Sequence, residues 1–329
     1  MDFYLAMEPD LSRLSVAEIR RHFLDQKDSA PPALLARLQK DPREGVRKVY
    51  RHLMNRREKE KAERRRIESM LNLERVLWNS GIRHIAGTDE VGMGPLAGPV
   101  VAAAVVFPPG TFISGVDDSK RLSPQVRQGV ARVIRQKALG IGVGLAEVAE
   151  IDELNVYHAG LLAMRRAVEN LPLRPGHLLV DAREIPGLSI PQNNFTKGDG
   201  LSFSIAAASI VAKTYRDQLM VELGQTYPQY GLDRNKGYCT REHQEAIRQH
   251  GPCDIHRKSY TFIQELCGEY SDLFYRLRGK AGRLSSVREL AALDKELKAK
   301  RGQLSPEEKR KLRVLMARHR NRMRPSESQ

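Results

Sequence analysis

Cysteine is scarce in this chain. Three occur in 329 residues, Cys239, Cys253 and Cys267, and no two form a C-x-x-C pair. That usage argues against a structural zinc site and fits a reducing compartment. Long apolar runs are missing too: none approaches the roughly 18 apolar residues of a membrane-spanning helix. The segment MDFYLAMEPD carries acids and has neither a basic nor an apolar stretch, so no secretory signal is expected there and a cytoplasmic setting is. Internal repeats and low-complexity tracts are also lacking. What is present is a chain with 41% hydrophobic and 29% charged residues, the composition of a soluble globular protein. Its length suits one main domain plus extensions, or two domains.

The net charge of +15 is unevenly spread. Residues 1–80 hold 18 Lys and Arg against 13 Asp and Glu, and residues 276–329 hold 17 against 6, which leaves 81–275 at −1. A near-neutral middle flanked by basic arms points to a polyanionic partner, nucleic acid foremost. Solvated basic helices are the alternative reading of the same numbers.

Three segments follow from the pattern: a helical N-terminal extension over 1–80, a catalytic domain over 81–275 and a basic helical C-terminal tail over 276–329. Ser15 and Glu18 predict a capping box opening SVAEIRRHFLDQ. Pro31-Pro32 breaks the chain before ALLARLQK, and from about Asp41 one or two long helices run to Gly81, with Val46, Val49, Tyr50, Leu53 and Met54 at helical spacing. Arg56–Arg66 alternates in charge as an exposed helix does. HIAGTD, GPVVAAAVVF and ALGIGVGLAE then read as strands, with a helix from Ser123-Pro124 between the last two. Two helices, a fourth strand in HLLVDARE and a long small-residue helix, LSFSIAAASIVAKTYRDQLMVELGQTYP, follow. The order implies an α/β or α+β sheet with helices against it. Ser305-Pro306-Glu307-Glu308 predicts the start of a basic helix, and PSESQ is expected to be disordered.

The stretch AGTDEVGMGPLAGPVV, residues 86–101, sets two adjacent carboxylates, Asp89 and Glu90, between an apolar run and a Gly-x-Gly turn. Asp89 is expected at the inner end of a strand. Adjacent strand residues face opposite ways, so the two share a site only where the strand breaks up, and the Gly92-Met93-Gly94 turn offers that break. Asp181 ends the run LLV, and Asp199 follows Lys197-Gly198 before a helix. Carboxylates gathered from strand ends and a helix start suit hard cations that prefer oxygen, and the absence of His and Cys at these positions disfavours zinc. Two Mg²⁺ or Mn²⁺ ions roughly 3.5–4 Å apart would activate a water and stabilise a leaving oxygen in phosphodiester cleavage. Taken singly, Asp181 also reads as a cap or turn residue, Asp199 as an N-cap and Asp89-Glu90 as a turn start; spacing alone does not join the four.

DEVGMGPLAGPVVAAAVV, DDSKRLSP, LLVDAREIPG, TKGD, AAASIVAKTYRDQLM, NKGYCTREH and HRKSY, in this order over about residues 71–265, together resemble ribonuclease HII, the type 2 ribonuclease H family. The N-terminal helical region resembles the extension of some bacterial members; the basic tail has no counterpart. The resemblance implies an α/β fold, an RNase H-like mixed β-sheet flanked by helices. It implies cleavage of RNA in RNA–DNA hybrids and on the 5′ side of ribonucleotides embedded in duplex DNA, giving 3′-hydroxyl and 5′-phosphate ends. By motif, Asp89, Glu90, Asp181 and Asp199 match the family's metal-binding and catalytic carboxylates. Tyr238, in KGY, matches the tyrosine that stacks at the RNA–DNA junction and helps read the 2′-hydroxyl. Gly92 and Gly94 let backbone approach the nucleic acid, and Lys120, Lys213 and Arg216 are expected on phosphates.

Met93 departs from the pattern, because the family usually has Arg between the two glycines. A thioether cannot grip a phosphate as a guanidinium does. The expected activity is therefore a monomeric, metal-dependent endoribonuclease on hybrids and ribonucleotide-containing DNA, with extra nucleic-acid contact through the basic tail. The alternatives are a hybrid-specific nuclease with weak single-ribonucleotide activity, and a non-catalytic nucleic-acid-binding protein.

Overall fold

The computed structural model describes residues 11–25, 31–268, 270–282, 284 and 286–323. The predicted disorder of PSESQ lies outside them. The N-terminal region forms α1 (Val16–Arg20), α2 (Pro32–Lys40), α3 (Glu44–Met70) and α4 (Asn72–Asn79). The capping box is present: the Ser15 hydroxyl accepts from Glu18 N–H at 3.3 Å, and the Glu18 carboxylate accepts from Ser15 N–H at 2.8 Å. Pro32 takes the first turn of α2, where its missing N–H costs no hydrogen bond. Val46, Val49 and Leu53 share one face of α3 and pack with Ile19, Leu34 and Leu38 in a separate apolar cluster. The far end of α3 reaches the main body: Ile67 and Met70 join the core, the Glu63 carboxylate accepts from Gly115 N–H, and Arg66 donates to the Val116 carbonyl.

The sheet has five strands: β1 (Ile85–Val91), β2 (Val100–Val106), β3 (Gly140–Ala146), β4 (His177–Asp181) and β5 (Gln192–Phe195). Their order is β3-β2-β1-β4-β5; β1–β2 and β2–β3 are antiparallel, β1–β4 and β4–β5 parallel. This is the expected mixed sheet flanked by helices. β5 is an addition to the predicted strands. Its Gln-Asn-Asn run has no apolar alternation, and as an edge strand it needs none. Between β2 and β3 lies α5 (Pro124–Lys137), and after β3 come α6 (Val148–Leu154) and α7 (Val156–Glu169). The long helix α8 (Phe203–Thr226) covers one face of the sheet and α7 the other. Glycine makes both contacts close. A Cβ at Gly87 would lie 2.1 Å from the Ser204 backbone of α8, and one at Gly144 would lie 2.2 Å from the Ala163 carbonyl of α7.

Beyond α8 the chain forms α9 (Leu232–Asn235), α10 (Arg241–His250) and α11 (Thr261–Cys267). The basic tail is more than one helix. Three helices, α12 (Asp272–Gly282), α13 (Val287–Ala299) and α14 (Pro306–Met323), bury Phe274, Leu277, Leu290, Leu293, Leu312 and Met316 against one another. The predicted start of α14 is sealed by Ser305 and Glu308, each accepting from the other's N–H.

Candidate active site at the end of the central strands

β1 runs two residues past Asp89, to Val91, and stays paired with β2, Asp89 opposite Ala103 and Glu90 opposite Ala102. The strand runs past both acids and breaks up at Gly92, where the glycine turn begins, so the two carboxylates stay on opposite faces of the sheet. Asp89 therefore faces α8 and Glu90 faces α7. The parallel pairing with β4 ends at Thr88 and Val180. Beyond that point β1 and β4 part, and Asp181 stands in the opening between the two faces. Carboxyl ends of parallel strands are where open sheets present their sites. Asp199 sits in a single turn, Gly198–Gly200, just ahead of α8. It does not cap α8; Ser202 does, accepting from Ile205 N–H. Asp181 is tied to the same turn, its Oδ1 accepting from Gly198 N–H at 2.6 Å.

The four acids repel one another. Burial, then Glu90 and Asp181, push the Asp89 carboxyl well above its usual range, against a hydrogen bond from Ser209. Burial and Asp181 raise Glu90 to about 7. Burial, then Asp118 and Asp181, raise Asp199. Lys120 is the cation that opposes the rise at both Glu90 and Asp199. Asp118 is a further acid of this site that motif reading missed, although it lies in the DDSK block. The Ser209 hydroxyl lies 2.9 Å from that of Ser119, which joins the same loop to Asp89.

As they stand, no three His, Cys, Asp or Glu side chains among the described residues converge tightly enough to enclose a metal ion. The set still fits a hard divalent cation. Every donor is a carboxylate oxygen, the cluster is short of positive charge, and buried Glu90 Oε2 has no partner.

The glycine turn is held from below by two buried arginines. Arg216 donates to the carbonyls of Ala97, Pro99 and Lys236 at 3.0–3.1 Å. Arg257 donates to those of Gly92, Met93 and Gly98 at 2.6–3.2 Å, and Tyr260 O–H to Met93 at 2.5 Å. Both guanidiniums are wholly buried. Arg216 is thus no phosphate ligand: the structure corrects that expectation and makes it a brace for the turn. Burial, and then Arg257, lower its pKa to about 10. The Met93 thioether packs back on Gly160 of α7 beside Glu90.

Tyr238 is exposed at the rim, with Lys213 Nζ 5.4 Å from its ring centre. Lys213 is also paired with Asp217 at 2.6 Å. Lys120 is exposed, and Gly94 is exposed with nothing of the protein within 4 Å of a Cβ placed there. The structure thus gathers Asp89, Glu90, Asp181, Asp199 and Lys120 at one strand end. Gly92, Gly94, Lys213 and Tyr238 lie in the segments beside it. Arg257, Tyr260, His243 and His256 were not singled out from sequence; the only signal for them is the blocks NKGYCTREH and HRKSY. A cavity of about 750 Å³ between α3 and Phe112–Ser114 shares no residue with the acids.

Residues 86–263 match the family profile described as Ribonuclease HII, and residues 15–78 match Ribonuclease HII N-terminal domain. The chain is 49% identical over 259 residues to a ribonuclease HII of Myxococcus xanthus, covering 78% of this chain and 88% of that protein. It is 53% identical over 198 residues to one of Moorella thermoacetica, covering 60% and 96%. Among solved structures, the ribonuclease H2 of Pyrococcus horikoshii OT3 aligns with a TM-score of 0.50 at 26% identity, over 56% of this chain and 98% of that one.

Proposed function

The chain belongs to the ribonuclease HII family and is an endoribonuclease; from that premise we propose that it hydrolyses RNA in RNA–DNA hybrids and nicks duplex DNA on the 5′ side of an embedded ribonucleotide. The observation that carries this reading is the meeting of Asp89, Glu90, Asp181 and Asp199 where β1 and β4 part, beside the glycine turn. These four side chains are the ones that would hold Mg²⁺ or Mn²⁺. Two such ions, when bound, supply an activated water and stabilise the leaving 3′-oxygen, consistent with 3′-hydroxyl and 5′-phosphate ends.

The remaining roles fall to the chain's own groups. Tyr238 presents an aromatic face to the sugar at the junction. Gly94 leaves room for backbone to approach the 2′-hydroxyl. Lys120 and Lys213 neutralise phosphates on either side. Arg216 and Arg257 fix the turn from which the approach is made. The chain acts as a monomer in this reading, in the setting of ribonucleotide excision from DNA, with the segments 1–80, 81–275 and 276–329 serving as extension, catalytic domain and accessory arm.

The test is a duplex bearing one ribonucleotide, incubated with Mg²⁺ or Mn²⁺ and with EDTA. A metal-dependent nick on the 5′ side is expected, lost in Asp89→Asn. Cutting that survives EDTA, or that Asp89→Asn leaves intact, sinks the proposal. Packing of the Met93 thioether on α7 favours one variant reading, preference for continuous hybrids over single ribonucleotides, because no cation stands at that position. The same assay with a continuous hybrid beside the single-ribonucleotide duplex decides between them.

A further inference from the structure

Two buried histidines that the proposed chemistry does not use lie beneath the reading surface. His243, on α10, and His256, in the loop before α11, are both fully buried, and their Nε2 atoms are 3.2 Å apart. Their other nitrogens decide the protonation. Cys253 N–H points at His256 Nδ1 at 3.0 Å, so that nitrogen must be an acceptor. The Tyr238 carbonyl lies 2.9 Å from His243 Nδ1 and can only accept, so that nitrogen carries the proton. One arrangement satisfies all three contacts: His256 Nε2–H donates to His243 Nε2, and His243 Nδ1–H donates to the Tyr238 carbonyl. The two rings form a directed chain with a single proton between them.

Each end of that chain is fixed to a different half of the site. His256 bridges to Ala97 in antiparallel pairing, flanked by Arg257 N–H on the Leu96 carbonyl and Gly98 N–H on the Ile255 carbonyl, both at 2.9 Å. It therefore moves with the glycine turn. His243 holds the main chain of Tyr238. The Tyr230 ring stands edge-on to His256 at 4.7 Å and keeps the pair dry.

The geometry points to His243 and His256 as positioning residues that hold Tyr238 in register with the Gly92–Gly98 turn, and so set discrimination for the ribonucleotide junction. This rests on the nuclease reading above. Neither ring reaches the reacting atoms; the effect passes through the Tyr238 carbonyl. One buried hydrogen bond is worth about tenfold in an equilibrium or rate ratio.

The experiment compares two substitutions of one residue. His256→Gln can still donate to His243, whereas His256→Asn can accept from Cys253 but falls short of His243. The readout is the ratio of kcat/KM on a single-ribonucleotide duplex to that on a continuous hybrid. His256→Asn is expected to lower this ratio about tenfold with kcat on the hybrid within about twofold, and His256→Gln to keep most of it. Should His256→Asn not fold, His243→Gln, which accepts from His256 but releases Tyr238, is read in its place. In parallel, ¹⁵N imidazole NMR of the whole protein at pH 7 should show the Nδ1–H tautomer at His243 and the Nε2–H tautomer at His256. Equal ratios in the two His256 variants, an unchanged ratio in His256→Asn, or the opposite tautomers overturn the proposal. Wild-type protein that cuts neither duplex overturns the nuclease reading instead, and the tautomers then judge the pair by themselves.

Discussion

Gly92 and Gly94 look alike in sequence and differ in the structure. Gly92 is buried at φ +94°, and a Cβ there would lie 2.3 Å from Arg216 Nε. Its glycine is required by the protein itself. Gly94 has no positive φ, and a Cβ there would touch nothing. If Gly94 is needed, the need comes from what approaches it. Gly92→Ala should therefore cost about 1–3 kcal/mol of stability. Gly94→Ala should leave the thermal midpoint unchanged yet lower kcat/KM on the single-ribonucleotide duplex tenfold or more, on the order expected for a displaced substrate. A denaturation curve and a rate measured on the same two proteins separate the cases; full activity in Gly94→Ala would remove that residue from the site. The contrast also marks what sequence could reveal. The carboxylates announce themselves because acids beside buried strands need a reason. Arg216 misleads, because an arginine that props up three carbonyls and one that grips a phosphate are written with the same letter.

At the scale of elements, periodicity carries far. The capping box, the long α3, β1 to β4 and α8 all follow from apolar spacing and Gly or Pro punctuation. β5 does not, because an edge strand of polar residues leaves no apolar signature. The opposed faces of Asp89 and Glu90 are legible, because side chains alternate along a strand and β1 stays paired with β2 as far as Val91, where the GMG turn begins. The link between His243 and His256 depends on the pairing of His256 with Ala97, 159 positions away in sequence. That buried pair has a consequence for pH. Burial and the neighbouring ring lower His256 to about 4, and burial lowers His243 in the same direction. Tyr230, Cys253 and Glu242 are the titratable groups nearby, and only Glu242 favours a charged ring, at His243. Below the ordinary histidine value of 6.5 the unfolded chain takes up a proton that folded His256 refuses. Stability is thus undiminished above about pH 6.5 and falls as pH drops toward 4. Between pH 7 and 5 the loss from His256 alone should be about 2 kcal/mol. Urea midpoints of the wild type and His256→Gln over that range test it: the wild type should weaken more steeply, and parallel curves would falsify the assignment.

At the scale of the molecule, charge and fold are separately arranged. The middle segment, nearly neutral as a whole, contains the acidic site, while the surplus of positive charge lies in the arms. The C-terminal arm is a folded bundle rather than a loose tail. Its α12 docks on α11, where Tyr275 O–H donates to the Gln264 carbonyl. Cutting the chain at residue 280 would therefore bare Phe274 and Leu277, and lost binding could then reflect lost folding. Charge neutralisation on the outer face of α14 avoids this. Arg310, Arg313 and Arg320 are exposed there. If this face lies along the phosphate backbone, each contact releases about 0.9 counterion, so changing all three to Gln should flatten the slope of log affinity against log salt by up to about 3. Affinity for a long duplex should fall most at low salt, while cutting of a short duplex that cannot reach the bundle should stay the same. Anisotropy titrations at several salt concentrations measure the slope directly. A slope equal to that of the wild type would mean that the bundle's charge faces water or another partner, and that the acidic site reaches its substrate without help from the arm.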